Sequence, residues 1–166
     1  ETYREFMASN RQEQGKIKDV GGYVGGYLRG GKRSPKNVQN RQLLTLDIDF
    51  AHIDFWSDFV LQYDNAAILH GTHKHSKATP RYRLLMPLSR ECTPDEYVAV
   101  GRQVAGAIGI DLFDNTTFET NRLMFWPSTP KDVDYYMETQ SGPWLNVDEI
   151  LDSYICLLYT SDAADD

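Results

Sequence analysis

At 166 residues the chain has the length of one domain built on a single buried core. With 41% hydrophobic and 25% charged residues it has the composition of a globular protein, and no apolar run approaches the ~20 residues of a membrane span. Its formal charge of −7 argues against a general affinity for nucleic acid. No signal-peptide pattern opens the chain, and Cys92 and Cys156 make no metal or disulfide framework, so a cytoplasmic setting without membrane contact is expected. The first residue is Glu1 rather than Met, and residues 156–166 read as a translated sequencing adapter. The expectation is therefore a fragment with one native domain over 1–155 and a non-native tail that carries Asp162, Asp165 and Asp166.

Thr2 to Arg11 has the apolar spacing of a short helix, with Tyr3, Phe6 and Met7 on one face. Lys16 to Arg33 repeats Gly-Gly between Tyr23, Val24, Tyr27 and Leu28, which excludes a stable helix and predicts turns. It is not a phosphate-binding P-loop, because Gly31-Lys32 is followed by Arg33. Leu43 to Phe50 predicts a buried strand. Asp54 to Tyr63 predicts a helix with an aromatic core face, and Ala66 to Leu69 a second strand that ends in a His-rich loop. Arg81 to Met86 predicts a third strand, halted by Pro87. Thr93-Pro94-Asp95-Glu96 is a capping box that opens an amphipathic helix closing near Gly109. Arg122 to Trp126 and Tyr135 to Glu138 predict further strands, and Val147 to Tyr154 a last helix. The order β-α-β-β-α-β-β implies an α/β (α+β) fold, RRM-like, with helices packed on a mostly antiparallel sheet.

The chemistry centres on Leu46-Asp47-Ile48-Asp49. Alternation along a strand puts Asp47 and Asp49 on one face, and two carboxylates that close are costly unless a cation offsets them. A hard divalent ion takes such oxygens together with substrate phosphates, whereas an isolated D-x-D is otherwise one solvated strand edge. A third carboxylate is available from Asp114 or Asp111. Basic residues cluster despite the acidic total. No acid lies between Val20 and Leu46, where Arg29, Lys32, Arg33, Lys36 and Arg41 occur, and none lies between Asn65 and Arg90. The second interval carries His70, His73, Lys74, His75, Lys77, Arg81, Arg83 and Arg90, the footprint of a phosphate-binding surface.

In this order the motifs resemble those of the archaeo-eukaryotic primase superfamily, and of the primase-polymerase domains of phage and plasmid replication proteins in particular. Leu46-Asp47-Ile48-Asp49 resembles its first motif. Thr72-His73-Lys74-His75 with Pro80-Arg81-Tyr82-Arg83 resembles the second, and Phe113-Asp114 with Asn121-Arg122 the third. Lys18-Asp19-Val20-Gly21-Gly22-Tyr23-Val24-Gly25-Gly26 and Leu123-Met124-Phe125-Trp126-Pro127-Ser128 are similar to flanking segments of those domains.

The resemblance implies a primase-type catalytic core in which Asp47, Asp49 and Asp114 hold catalytic Mg²⁺ or Mn²⁺. It implies a motif-two histidine on the nucleotide's phosphates, His75 or His73, with His75 favoured for its nearness to Arg81 and Arg83. Arg81, Arg83, Arg122 and Lys74 would contact nucleotide phosphates or template. The implied activity is a primase/polymerase that makes or extends primers on single-stranded DNA from nucleoside triphosphates. Its setting would be a bacterial host's cytoplasm, with a replicative helicase attached or separate. The rival readings are a rolling-circle endonuclease using His73 and His75 as metal ligands with a tyrosine nucleophile, a D-x-D nucleotide-sugar transferase, and a non-catalytic nucleic-acid-binding module.

Overall fold

Described by the computed structural model are residues 21–130 and 133–153. In chain order the elements are β1 (Gly22–Tyr23), β2 (Gly26–Leu28), β3 (Val38–Ile48), α1 (Phe55–Gln62), β4 (Ala67–Gly71), β5 (Tyr82–Cys92), α2 (Pro94–Ile108), β6 (Met124–Phe125) and β7 (Met137–Gln140). A closing helix, α3, occupies residues 147–153. The helix expected at Thr2–Arg11 and the tail at 156–166 lie outside the described residues.

Five strands form one sheet in the order β2-β3-β5-β4-β7, and every neighbouring pair is antiparallel. β3 and β4 therefore run parallel to each other on either side of β5, with α1 joining them. This is the split βαβ that the element order predicted. One face of β3 presents Leu44, Leu46 and Ile48, all fully buried, to a core that includes Phe55 and Phe59 of α1 and Tyr97, Val100 and Val104 of α2. Truncating such a side chain to Ala costs about 2–5 kcal/mol. Because side chains alternate, the same packing turns Asp47 to the opposite face.

α2 begins as the sequence predicts. Thr93 caps it, accepting from the Glu96 N–H while the Glu96 side chain accepts from the Thr93 N–H, and Pro94 fills the first turn. Arg90, from the predicted phosphate-binding interval, is instead bound to Glu96 and Asp148, where it ties β5 and α2 to α3.

Several strands differ from their expected form: β3 begins at Val38 and ends at Ile48 rather than spanning Leu43 to Phe50, and β7 is shifted to Met137–Gln140. Pro87 does not halt β5, which continues to Cys92. Pro87 stands opposite Leu43 where the register against β3 shifts, so its missing N–H falls at an irregularity, while its carbonyl accepts from Leu145. The strand expected over Arg122–Trp126 shortens to the two residues of β6 and leaves the main sheet to pair with β1. This close pairing needs Gly22, where a Cβ would collide with the Met124 carbonyl. β2, not β6, covers the β3 edge of the sheet.

Candidate active site

The register of β3 against β5 builds the site. Asp47 stands directly opposite Arg83, and Arg83 directly opposite His70 on β4. Cross-strand neighbours on one face are in reach of each other. Arg83 Nε donates to Asp47 Oδ1 at 2.8 Å, and its Nη1 donates to the Phe125 carbonyl at 2.8 Å. Asp47 is only 6% exposed and Arg83 7%, so each offsets the other's desolvation. One step outward, Arg81 lies 3.1 Å from Asp49, and both are partly exposed.

The third carboxylate arrives from a different segment. Buried Phe113 anchors the chain ahead of Asp114, whose N–H donates to the Asp47 carbonyl at 3.0 Å. Asp114 then caps a single 3-10 turn, accepting from the Thr116 N–H and hydroxyl, and from Arg122 at 2.8 Å. Partial burial pushes its carboxyl up, but the Thr116 and Arg122 hydrogen bonds outweigh this and hold it below the usual carboxylate range. Arg122 also reaches Asp47, at 3.7 Å. Asp111 is exposed and does not line the pocket, so of the two candidates Asp114 stands in the site.

One open pocket of about 240 Å³ is lined by Asp47, Asp49 and Asp114, by Arg81, Arg83, Arg122, Lys74 and His73, and by His70 and Trp126. Of the residues expected from the sequence, only His75, the histidine preferred there, stands outside its wall. Its ring is buried between Tyr82, at 4.9 Å between centroids, and Tyr136, at 5.6 Å. It lies over Gly71, where a Cβ would stand 3.1 Å from it, and its Nδ1 accepts from the Arg81 N–H. Burial lowers its pKa. His75 thus pins the loop between β4 and β5, and that loop presents His73, Lys74 and Arg81 to the pocket. His73 lies in the wall, with Nδ1 3.2 Å from the Ser128 hydroxyl.

One rival, the rolling-circle endonuclease, loses its geometry with this result. His73 and His75 do not share a face, so they form no H-x-H metal pair. Tyr97 is fully buried with its hydroxyl on Thr45, so it is no nucleophile.

Sequence reasoning missed two pocket residues as site residues. His70, counted there among the basic groups, has Nδ1 donating to the Gly71 carbonyl at 2.9 Å, which leaves Nε2 as an acceptor. Burial lowers its pKa, and Nε2 has no partner among the described residues. Its place opposite Arg83 could be found only once the register was known. Trp126, read as part of a sheet strand, lines the pocket mouth because β6 leaves the main sheet.

The donor chemistry of the pocket fits a hard divalent cation, since it offers three carboxylates and charged donors for phosphate. The carboxylates are nevertheless engaged by arginines. Among the described residues no three His, Cys, Asp or Glu side chains are gathered as a metal-holding group. The expected convergence on one coordination shell is not present among the described residues, and Arg81, Arg83 and Arg122 each stand against one of these carboxylates. Of these, Arg83 is fixed at both ends of its guanidinium, whereas Arg81 and Arg122 are about a third exposed.

Comparison with known proteins agrees with this architecture. A solved structure of the AEP domain of the cyanophage S-2L primase-polymerase superposes with a TM-score of 0.53 at 11% identity, covering 74% of this chain. The match spans 64% of that protein's chain, a little under two thirds. A search of curated proteins gives no match. No helix among the described residues is long and apolar enough to cross a membrane. The fold is that of a primase-polymerase domain, and the family model for the VapE N-terminal domain matches residues 1–161. The chain belongs to the VapE N-terminal domain family.

Proposed function

We propose that this domain is a DNA-dependent nucleotidyltransferase that synthesises or extends primers on single-stranded DNA in phage or plasmid replication. One observation carries the reading: Asp47, Asp49 and Asp114 share one pocket with His73, Lys74, Arg81 and Arg122, on a primase-polymerase fold. Carboxylates alone would serve many sites. Carboxylates interleaved with partly exposed cations suit a ligand that carries both phosphate and metal.

The chain's own groups divide the work. Arg83, held by the Phe125 carbonyl, keeps the Asp47 carboxylate in one orientation. Arg81 and Arg122 move from Asp49 and Asp114 to the triphosphate, which offers planar, charge-assisted pairing in exchange. Lys74 and His73 complete the phosphate grip from the loop that His75 pins. Asp49 and Asp114, once released, would hold Mg²⁺ or Mn²⁺ together with the Asp47 oxygen that Arg83 leaves open. When bound, such ions supply activation of a 3′-hydroxyl and neutralise charge on the phosphates. The exposed Arg29, Lys32 and Arg33 lie outside the pocket wall and would follow the template backbone. A replicative helicase, attached or separate, is the partner this activity calls for.

The test is nucleotide incorporation on single-stranded DNA, with and without a primer, comparing the wild type with Asp49→Asn. The substitution keeps the size of the side chain and removes its charge. A fall of about 10²-fold or more is expected, on the scale of losing one preorganised electrostatic contact. Unchanged incorporation by the variant would defeat the proposal. A stable covalent adduct with single-stranded DNA, surviving denaturation, would favour endonuclease chemistry instead.

A further inference from the structure

The mouth of the pocket carries a large aromatic side chain that the charge chemistry leaves without a role. Trp126 is 58% exposed and lines the pocket. Its backbone is held in place. The preceding carbonyl, of Phe125, accepts from Arg83 at 2.8 Å, and the Trp126 N–H donates to the Gly21 carbonyl at 3.4 Å. The Tyr23 ring packs on the indole at 5.1 Å between centroids, with planes 38° apart. A Cβ on Gly21 would stand 3.5 Å from the indole Nε1. The indole is thus supported by Tyr23 and Gly21, while the rest of its surface is left to the pocket and to solvent.

Exposure alone does not make a site, since Trp144 is 62% exposed far from these cations. What distinguishes Trp126 is a fixed, supported ring in the same wall as four phosphate-binding side chains. An aromatic face beside a cationic groove is the arrangement that holds a base together with its phosphates.

We infer that Trp126 is the platform on which the base of the incoming nucleotide stacks, while His73, Lys74, Arg81 and Arg122 take the phosphates. The inference rests on the nucleotidyltransferase reading. The platform and the phosphate donors line one pocket, so a base on the indole and the phosphates on those donors can belong to one bound nucleotide. The exposed basic segment from Arg29 to Arg33 lies outside that wall. Stacking uses the π-face that every base has, so the four nucleotides are bound with similar affinity.

The experiment titrates the wild type, W126A, W126L and W126F with a magnesium-bound deoxynucleoside triphosphate, with inorganic tripolyphosphate, and with oligo-dT. Calorimetry gives the affinities, and Trp fluorescence reports stacking in the wild type. The expected result is a loss of about tenfold or more in nucleotide affinity for W126A and W126L, while W126F keeps most of it. Tripolyphosphate affinity stays equal in all four proteins. Nucleotide affinity unchanged in W126A overturns the inference. So does a loss confined to oligo-dT, which would move the platform to the template strand. Equal losses for nucleotide and tripolyphosphate in every variant also overturn it, as the mark of a structural side chain. If the wild type binds neither nucleotide nor tripolyphosphate, it is the nucleotidyltransferase reading that fails, and the stacking inference falls with it.

Discussion

β3 buries one charged side chain towards each end, and the fold treats the two in opposite ways. Arg41, near its start, is fully buried without a carboxylate partner among the described residues. It donates to the carbonyls of Gly25, Leu43 and Thr120 and to the Thr45 hydroxyl, and its guanidinium lies 3.9 Å over the Tyr97 ring. Burial draws its pKa down, and neutral dipoles with an aromatic face hold the charge. Asp47, near the strand's end, has two guanidiniums within reach, Arg83 at 2.8 Å and Arg122 at 3.7 Å. The Arg41 end is saturated by the protein and has nothing left for a ligand. At the Asp47 end the shell is made of charged groups, and one of them, Arg122, is about a third exposed. A buried ion reads as structural when neutral groups complete its shell, and as a candidate for function when its partners are charged and one of them is partly exposed.

The sharpest way to break this contrast is a pair of substitutions to Met. Arg83→Met leaves the Asp47 carboxylate buried with its main partner gone, and should lower stability by about 3–5 kcal/mol. Arg41→Met strands carbonyls but no ion, and should cost about 1–3 kcal/mol. Urea unfolding of both variants measures the difference. Equal losses would mean that the two charges are held alike.

The next contrast lies within the His-rich loop. His75→Ala opens a hole between Tyr82 and Tyr136 and removes the acceptor of the Arg81 N–H, at a cost of about 2 kcal/mol in thermal or urea unfolding. His73→Ala changes stability by less than about 0.5 kcal/mol and instead raises the nucleotide KM. The reverse pattern would restore His75 to the site.

These two comparisons also mark what could be read from the chain. The end of β3 was legible because an apolar run with alternating carboxylates fixes both the strand and the face that Asp47 and Asp49 share. The capping box of α2 was legible because it is local. The arginine partners were not, since pairing Asp47 with Arg83 depends on the register of β3 against β5, which neither strand's own pattern contains. His73 and His75 are separated by how a ring packs over Gly71, and no spacing rule contains that. Trp126 was hidden for a third reason. A strand pattern does not say which sheet the strand joins, and here a two-residue pairing with β1 turned an expected core strand into a pocket edge.

The smallest expected effect lies far from the site and serves as a control. Hydrogen bonds from Arg90, then from the Thr93 N–H, pull the Glu96 carboxyl down to about 2 from its ordinary 4.5. A depressed carboxylate contributes its full stabilisation above the ordinary value and loses it as pH falls through the folded one. Melting temperature should therefore drop between pH 4.5 and about 2. Glu96→Gln should flatten part of that drop, by roughly 0.5–1 kcal/mol for a partly exposed pair, without altering nucleotide affinity. An altered affinity would show that the two ends of the sheet are coupled.

On the proposed function, Asp49 and Asp114 would exchange arginine for a divalent cation held with Asp47 when nucleotide is bound. Electron paramagnetic resonance of Mn²⁺, titrated with the protein with and without a non-hydrolysable nucleoside triphosphate, tests this most directly. The account predicts Mn²⁺ bound to the protein, tighter when the nucleotide is present and weakened about tenfold or more by Asp49→Asn or Asp114→Asn. Mn²⁺ affinity indifferent to both substitutions, with nucleotide present, would contradict it.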